Sequence, residues 1–230
     1  MLIELNQIDM KYNKGQENEV HALKQVSFSV EQGDFVGLVG ASGSGKTTLL
    51  QIIGGMLRPT GGTYFFDGMD VSAMKDSQLS RFRNQKVGYV LQDYGLLRDR
   101  NVVENVCLPM MFSHMKWHDI ESRAMELLTE LHIDHLKARR VNQLSGGQSQ
   151  LVAGGGGGGG GARALAMNPP VILADEPTGS LDSNTSAHLM ESLIKLNNAG
   201  VTILMVTHNE EISKHCKRIV RIRDGQLLAE

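Results

Sequence analysis

A glycine-rich segment at residues 40–47 limits the folds open to this chain more than any other part of its sequence. It reads GASGSGKT, matches G-x-x-x-x-G-K-[ST] in full, and lies between an apolar run and a segment with helical spacing. Such a loop turns backbone N–H groups toward a phosphate, and the following helix start adds partial positive charge. Lys46 can reach the β- and γ-phosphates, and the Thr47 hydroxyl can bind Mg²⁺. The motif predicts a nucleoside-triphosphate site on a strand–loop–helix unit.

Alternating and short apolar runs predict the remaining elements. Strand, helix and strand follow one another late in the chain, which predicts a parallel sheet with right-handed crossovers. A helix over residues 183–198 is closed by Gly200, and residues 101–140 have helical spacing. The predicted strands cover residues 2–8, 26–30, 35–39, 63–66, 87–91, 171–174 and 201–206, with a hairpin over residues 218–229 around Asp224-Gly225.

The composition excludes several classes of protein. A length of 230 residues suits one large α/β domain, and a formal net charge of −2 argues against binding nucleic acid through bulk positive charge. Cys107 and Cys216 do not have a metal-like spacing. The sequence has neither a membrane-spanning apolar run nor an N-terminal signal pattern, so we expect any membrane role to require a partner protein.

Two carboxylates end the apolar run at residues 171–174. At the carboxyl edge of a parallel sheet, Asp175 would lie beside the glycine-rich loop and hold Mg²⁺, and Glu176 would polarise an attacking water. The alternative is a solvated acidic turn before Pro177. The glycine-rich loop favours the catalytic interpretation.

A third motif, LSGGQ at residues 144–148, lies between the other two. In this order the three motifs resemble the ABC transporter ATPase family over nearly the whole chain. The resemblance implies an α/β fold: a P-loop NTPase domain of the ABC ATPase type over residues 1–230. That domain has a mixed sheet, an antiparallel β subdomain and an inserted α-helical subdomain at about residues 93–165.

The resemblance also implies a role for each matching residue. Lys46 and the switch histidine His208 contact the γ-phosphate, and Glu176 orients and polarises the attacking water. Thr47, Asp175 and the Q-loop glutamine Gln92 complete the Mg²⁺ shell, and residues 180–182 form the D-loop. The other nucleotide-contacting residues are Tyr12, Gly40, Ser42, Gly43, Ser44, Gly45, Thr48, Ser145, Gly146, Gly147 and Gln148.

Three of these residues have ordinary readings when taken alone. Tyr12, which the resemblance places on the adenine ring, suits surface packing. Gln92, taken alone, is an ordinary amide side chain in a loop, and His208 is an ordinary residue at the start of a helix. Their occurrence in one series with the motifs favours the functional reading.

The resemblance implies partners as well. Residues 144–148 would face the nucleotide of an opposite subunit, which gives a homodimer with two ATP sites. Residues 175–182 and 90–94 resemble the lipoprotein-releasing, macrolide-exporter and antimicrobial-peptide-resistance branch. That branch implies an integral membrane permease, a cytoplasmic place on the inner face of the cell membrane, and export or mechanical work. It allows a periplasmic or extracellular accessory protein and includes no nucleic acid. The alternative is a soluble or regulatory ABC-type ATPase without a transport partner.

Eight consecutive glycines at residues 154–161 depart from the family pattern, as does Leu151 at a position where the family has arginine. In a helix each glycine costs about 1 kcal/mol relative to alanine, so the run is incompatible with a stable helix. It is a flexible loop, an engineered insertion or an error in the recorded sequence. We expect the glycines to loop out or to break the helix that follows residues 144–148, and to lower ATPase activity.

Overall fold

The computed structural model describes residues 1–91, 95–153, 161–179 and 181–228. The chain divides into two compact units. The first unit comprises Met1–Arg83 and Thr202–Glu230, and the second comprises Asn84–Val201. Among the described residues, no helix combines the length and the apolar character that a membrane crossing needs.

An antiparallel sheet forms one part of the first unit. Its strand order is β2-β1-β4-β5. The strands are β1 (Ile3–Tyr12), β2 (Val20–Val30), β4 (Gly61–Phe66) and β5 (Met69–Asp70). Gln7 has a φ of 50° at a register shift of β1, so the buried positions change from a spacing of two to a spacing of three between Leu5 and Ile8. The predicted strand, residues 2–8, includes this bulge and ends before β1 does at Tyr12.

The other sheet strands of the first unit are parallel except at one edge, where the pairing is antiparallel. The order of neighbours there is β10-β9-β3-β8. The strands are β3 (Phe35–Val39), β8 (Thr202–Thr207), β9 (Arg218–Arg223) and β10 (Gln226–Leu227). All of β3 and β8 is buried, as their apolar sequences predict. Asp224 and Gly225 have φ values of 50° and 79° between β9 and β10, which confirms the predicted hairpin.

Three helices have residues in the first unit: α1 (Lys46–Ile53), α2 (Asp76–Lys86), which extends past Arg83, and α8 (Glu210–Ser213). The sequence did not predict α2, because only Leu79 and Phe82 of this polar helix are buried. The Phe82 ring meets the rings of Phe66 and Tyr64 edge-on, at centroid distances of 5.1 and 6.3 Å. The packing of the Leu79 and Phe82 side chains therefore holds in place a helix that is otherwise polar and largely exposed.

The second unit combines two parallel strands with helices. The strands are β6 (Val87–Leu91) and β7 (Val171–Asp175), and they pair from Val87↔Val171 to Leu91↔Asp175. The helices are α3 (Val102–Met111), α4 (Trp117–Glu130), α5 (Gly146–Ala153), α6 (Ala162–Leu165) and α7 (Ser183–Asn198), with 3₁₀ turns at Asp134–Leu136 and Val141–Gln143.

An apolar cluster packs α3 to α6 together. Val106, Leu128 and Val152 are fully buried in it, and Leu151 packs against its edge. A leucine at the departure from the family pattern therefore adds to this core. The predicted end of α7 is confirmed, since Gly200 has a φ of 96° and donates from its backbone N to Asn197 O at 2.9 Å.

The glycine run falls almost entirely outside the described residues. The prediction of a loop or a broken helix concerns residues 154–161, and the structure describes only Gly161 among them. Gly161 has a ψ of 147°, outside the helical range, and α6 begins at the next residue.

Candidate nucleotide site

The phosphate loop, residues 40–47, joins β3 to α1 in the first unit. A Cβ atom at Gly40 would lie 2.2 Å from the Ile222 carbonyl oxygen. Gly45 has a φ of 105°, and a Cβ atom there would lie 2.7 Å from the Ala22 carbonyl oxygen. Both positions therefore require glycine, because the loop backbone packs directly against other backbone and Gly45 is left-handed.

Lys46 holds the interior of the phosphate loop. Its side chain is buried, and Nζ donates to the carbonyl oxygens of Gly40 at 2.9 Å and Ala41 at 2.7 Å. Gly45 occupies the N-cap of α1 and has no side chain with which to cap it, and the first turn contains no acidic residue. A helix start of this kind, with an ammonium group beside it, is suited to an anion.

The β9–β10 hairpin supports one flank of the phosphate loop. Gly225 donates its backbone N–H to Ser44 O at 3.0 Å, and Lys24 donates its own to Gly225 O at 2.8 Å. The hairpin and the loop line a cavity of about 390 Å³ that includes Arg221 and Arg223. The loop is thus held in shape by backbone bonds from neighbouring strands.

Tyr12, the predicted adenine contact, lies close to the start of α1. Its hydroxyl is 3.3 Å from the Thr48 hydroxyl, and the side chain is half-buried at the end of β1. The structure therefore brings Tyr12 together with Thr48, another predicted nucleotide contact, on the phosphate-loop helix.

His208 follows the strand that neighbours the phosphate loop. β3 and β8 are parallel, and Val39 is the register partner of Thr207. The phosphate loop and His208 therefore begin at adjacent strand ends on the same edge of the sheet. The Asn209 backbone N–H donates to Thr207 Oγ1 at 3.0 Å, which fixes the backbone beyond the exposed His208.

Asp175 and Glu176 lie at the end of β7 in the second unit, both half-buried. Glu176 has a φ of 45°, in the left-handed region that side chains disfavour, and it directly precedes Pro177. Leu91 on β6 is the register partner of Asp175. Gln92, the next residue and a predicted metal and nucleotide contact, lies outside the described residues.

The signature segment, residues 144–148, contains the start of α5, as predicted. Ser145 N donates to Gln148 Oε1 at 3.0 Å, and Gln148 N donates to Ser145 Oγ at 3.2 Å. This reciprocal pair is a capping box. Ser145 and Gly146 are exposed and Gly147 is half-buried, so the segment presents a hydroxyl and bare backbone at a helix start.

The predicted D-loop is described at two of its three positions, since Ser180 lies outside the described residues. Asp182 caps α7 by accepting from Thr185 N at 2.9 Å and Thr185 Oγ1 at 2.7 Å. These bonds, the backbone one first, hold the pKa of the Asp182 carboxyl below its ordinary value. The D-loop aspartate therefore also stabilises the start of a helix.

One residue near the acidic strand end was missed by the sequence analysis. Gln150, on α5, is 1% exposed, and its Nε2 donates to the Pro177 carbonyl oxygen at 3.2 Å. Its position within an apolar helix face resembles ordinary packing. Its polar character at a buried position was the signal available in the sequence.

Comparison with known proteins decides the family. A family model described as ABC transporter matches residues 23–179. The chain belongs to the ABC transporter family. It is the ATP-binding cassette of that family, an ATPase with the expected α/β P-loop fold.

Three relatives illustrate the match. The lipoprotein-releasing system ATP-binding protein LolD of Geobacter metallireducens is 40% identical over 230 residues, which covers 100% of this chain and 99% of LolD. The macrolide export ATP-binding/permease protein MacB of Aggregatibacter actinomycetemcomitans is 42% identical over 229 residues. The dimeric structure of the cassette MJ0796 bound to ADP and Pi has a TM-score of 0.87 and 38% sequence identity, and the match covers 99% of this chain and 97% of that one.

The relatives differ in how much of their own length the cassette covers. The match covers all of this chain but only 34% of MacB, so the chain spans about a third of that relative. It spans nearly the whole of LolD. The cassette is therefore found both as a separate ATP-binding protein and as part of a longer ATP-binding/permease protein.

The donor atoms of the cassette fit Mg²⁺. Thr47 carries a hydroxyl and Asp175 a carboxylate, and both of these predicted ligands are oxygen donors of the kind that Mg²⁺ prefers. Among the described residues, no three His, Cys, Asp or Glu side chains group into a metal site.

Proposed function

We propose that this cassette is the ATP-hydrolysing subunit of a transporter in which two copies close head to tail on two Mg-ATP molecules. The observation that carries the proposal is the β3–β8 register, in which Val39 pairs with Thr207 and the phosphate loop and His208 follow adjacent strand ends. Phosphoryl transfer depends on positioning and charge stabilisation, which fixed groups at one sheet edge can supply.

In this proposal each site draws on both copies. Lys46 leaves the carbonyl oxygens of the phosphate loop and binds the β- and γ-phosphates, while N–H groups at the start of α1 hold the phosphate oxygens. Ser145, Gly146, Gly147 and Gln148 of the opposite copy contact the same γ-phosphate. Tyr12 stacks on the adenine ring, and Thr48 fixes the Tyr12 hydroxyl.

Hydrolysis then relies on a carboxylate and an imidazole. Glu176 orients and polarises the attacking water, and His208 supports the γ-phosphate. Thr47, Asp175 and Gln92 would hold Mg²⁺, which neutralises developing charge on the phosphate oxygens. Loss of the γ-phosphate removes the group that both copies share, so the copies separate.

We further propose that this separation drives a membrane permease, with the cassette on the inner face of the membrane. The relatives named as a lipoprotein-releasing system ATP-binding protein and a macrolide export ATP-binding/permease protein support export or mechanical work. The segment after β6, which begins with Gln92, is the proposed contact. An accessory protein on the other side of the membrane fits the same proposal.

The test is the variant Glu176→Gln. We expect it to bind ATP normally, to lose hydrolysis by at least about a hundredfold, and to run as a dimer on size exclusion with ATP and Mg²⁺. The reason is that binding groups remain while the water is no longer polarised. Dimerisation is measured by light scattering with and without ATP.

The matched control is the double variant Lys46→Ala, Glu176→Gln. It lacks the ammonium group that binds the phosphates, so it should remain monomeric with ATP. Full hydrolysis by the Glu176→Gln variant, or its failure to dimerise while it binds ATP, would contradict the proposal. Pull-down from detergent-solubilised membranes then tests for a permease partner.

A further inference from the structure

Gln150 connects the signature helix to the acidic strand end within the second unit. Its Nε2 donates to Pro177 O at 3.2 Å, and Pro177 follows Glu176 directly. Gly179 N donates to Glu176 O at 3.0 Å, which closes a turn over these residues. The Gln150 bond is therefore a side-chain contact from α5 onto the turn that holds the proposed water-polarising carboxylate.

This turn has a backbone that needs support. Glu176 has a φ of 45°, and a residue before proline is restricted further by the proline ring. Conformations of this kind persist where surrounding contacts determine them. Because Pro177 has no N–H, a hydrogen bond to the backbone of this residue can be made only to its carbonyl oxygen.

The burial of Gln150 is a second, independent observation. The side chain is 1% exposed, and its Oε1 atom has no hydrogen-bond partner among the described residues. A buried amide with one unpaired atom is unfavourable for packing alone, and a leucine of similar volume would avoid that penalty. Gln150 is therefore better explained by the bond that its Nε2 makes than by the space that it fills.

We propose that Gln150 is a positioning residue for Glu176, which fixes the Glu176–Pro177 turn and couples it to the signature helix α5. Gln150 follows the capping box of Ser145 and Gln148 along the same eight-residue helix. A shift of α5 when the signature segment meets a nucleotide would therefore reach the Glu176 turn of the same chain. The inference rests on the proposed role of Glu176.

The test is Gln150→Leu, which keeps the volume and removes the donor. We expect kcat for ATP hydrolysis to fall about tenfold, with KM for ATP within about twofold, because the nucleotide-binding loop is untouched. In the Glu176→Gln background, Gln150→Leu should lower kcat no further, since a positioning residue acts through the group it positions.

Gln150→Glu gives a readout that a purely structural role would not produce. A protonated carboxyl can donate to Pro177 O, whereas a carboxylate cannot, and burial raises the pKa of a carboxyl. The kcat of this variant relative to wild type should therefore fall as pH rises from about 6 to about 8.5. The kcat of the Gln150→Leu variant, divided by the kcat of the wild type, should stay constant over the same pH range.

Asn197→Leu is the matched control. Asn197 is also a buried amide of the second unit, and its Nδ2 donates to Val201 O at 2.9 Å. This variant should lose stability without a change in kcat per folded molecule.

An unchanged kcat in Gln150→Leu beside an inactive Glu176→Gln would overturn this inference alone. Full activity in Glu176→Gln would overturn the proposed function. If Gln150→Leu does not fold, a flat pH ratio in Gln150→Glu overturns the inference.

Discussion

Two helix starts that contain glycine, those of α1 and α5, differ in how their first backbone N–H groups are used. Gly45 leaves the start of α1 without a side-chain cap, and Lys46 lies beside it. The start of α5 is closed by its own residues, because Ser145 and Gln148 form a capping box. One start is open to an anion in the single chain, and the other already satisfies part of its hydrogen bonding.

This difference indicates different roles in the proposed dimer. An open helix start with a buried ammonium group can bind nucleotide in one copy alone. At a capped start, the hydrogen bond from Gln148 N–H to Ser145 Oγ must be exchanged for a contact with the phosphate. In the proposed dimer, ATP binding would therefore depend on the phosphate loop, and the signature segment would contribute when two copies meet.

The largest expected effect comes from adding one methyl group at each helix start. At Gly45, alanine would be strained at a φ of 105° and its Cβ would lie 2.7 Å from the Ala22 carbonyl oxygen. At Gly147 the nearest contact of a Cβ is Thr185 Cγ2, at an ordinary 3.8 Å. Gly45→Ala should weaken ATP binding by about a hundredfold, and Gly147→Ala by less than about twofold.

Equilibrium dialysis with a non-hydrolysable ATP analogue measures both variants. Gly147→Ala should still lower hydrolysis, because its methyl group faces the partner's nucleotide in the proposed dimer. Equal losses of binding in the two variants would contradict the distinction between the open and the capped helix start.

A smaller effect is expected from Ser145→Ala. Loss of the cap should destabilise the cassette by about 1 kcal/mol. Hydrolysis should fall by about tenfold because a γ-phosphate contact is lost, while ATP binding to the single chain stays unchanged. Urea unfolding and steady-state hydrolysis measure the two effects.

Asn101→Ala is the matched control for Ser145→Ala. Asn101 caps α3 with a capping box of the same kind, which includes Glu104. It should lose similar stability and keep its hydrolysis rate per folded molecule. If Asn101→Ala lost as much of its hydrolysis rate as Ser145→Ala, loss of stability alone would explain the rate loss of Ser145→Ala.

The smallest effect concerns a third helix start, at Asp182. Its pKa is lowered in the folded state by bonds from Thr185, so its contribution to stability is present above the ordinary value of 3.8. That contribution is lost as pH falls through the folded-state pKa. Asp182→Asn keeps the acceptor and does not titrate, so it should show a weaker loss of stability on acidification.

Urea unfolding midpoints between about pH 3 and pH 6 measure this difference. The ratio of the unfolding midpoint of the variant to that of the wild type should be constant above about pH 5. There the Asp182 carboxyl is ionised in both the folded and the unfolded chain. The same loss of stability in both proteins below that pH would remove Asp182 as a source of the pH dependence.

The sequence predicted most of the parallel strands, because their signals are local. The uninterrupted apolar runs of β3 and β6 were predicted with the observed bounds, and Gly200 marked the end of α7. α2 depends instead on a long-range aromatic contact by Phe82, and the alternation of β1 is interrupted at Gln7, where the strand packs with a shifted register. Contacts of this kind leave no periodic signal in the sequence.

The candidate site shows a similar division. The three motifs identified the phosphate loop, the acidic strand end and the signature segment, because each needs particular residue types at fixed spacing. Gln150 makes its contact across the second unit, and its place beside Pro177 becomes evident only from the fold. The roles assigned to the site residues stay predictions until the variants are measured.

The two carbonyl bonds of Lys46 have a consequence for product release. The ammonium group donates to two carbonyl oxygens of its own phosphate loop, at 2.9 and 2.7 Å. In the proposed cycle, the same carbonyl oxygens can take the group back when ADP departs, so little ordering remains for the next ATP. We therefore expect these two oxygens to replace the phosphate as partners of Lys46 between turnovers, which favours rapid exchange of ADP for ATP.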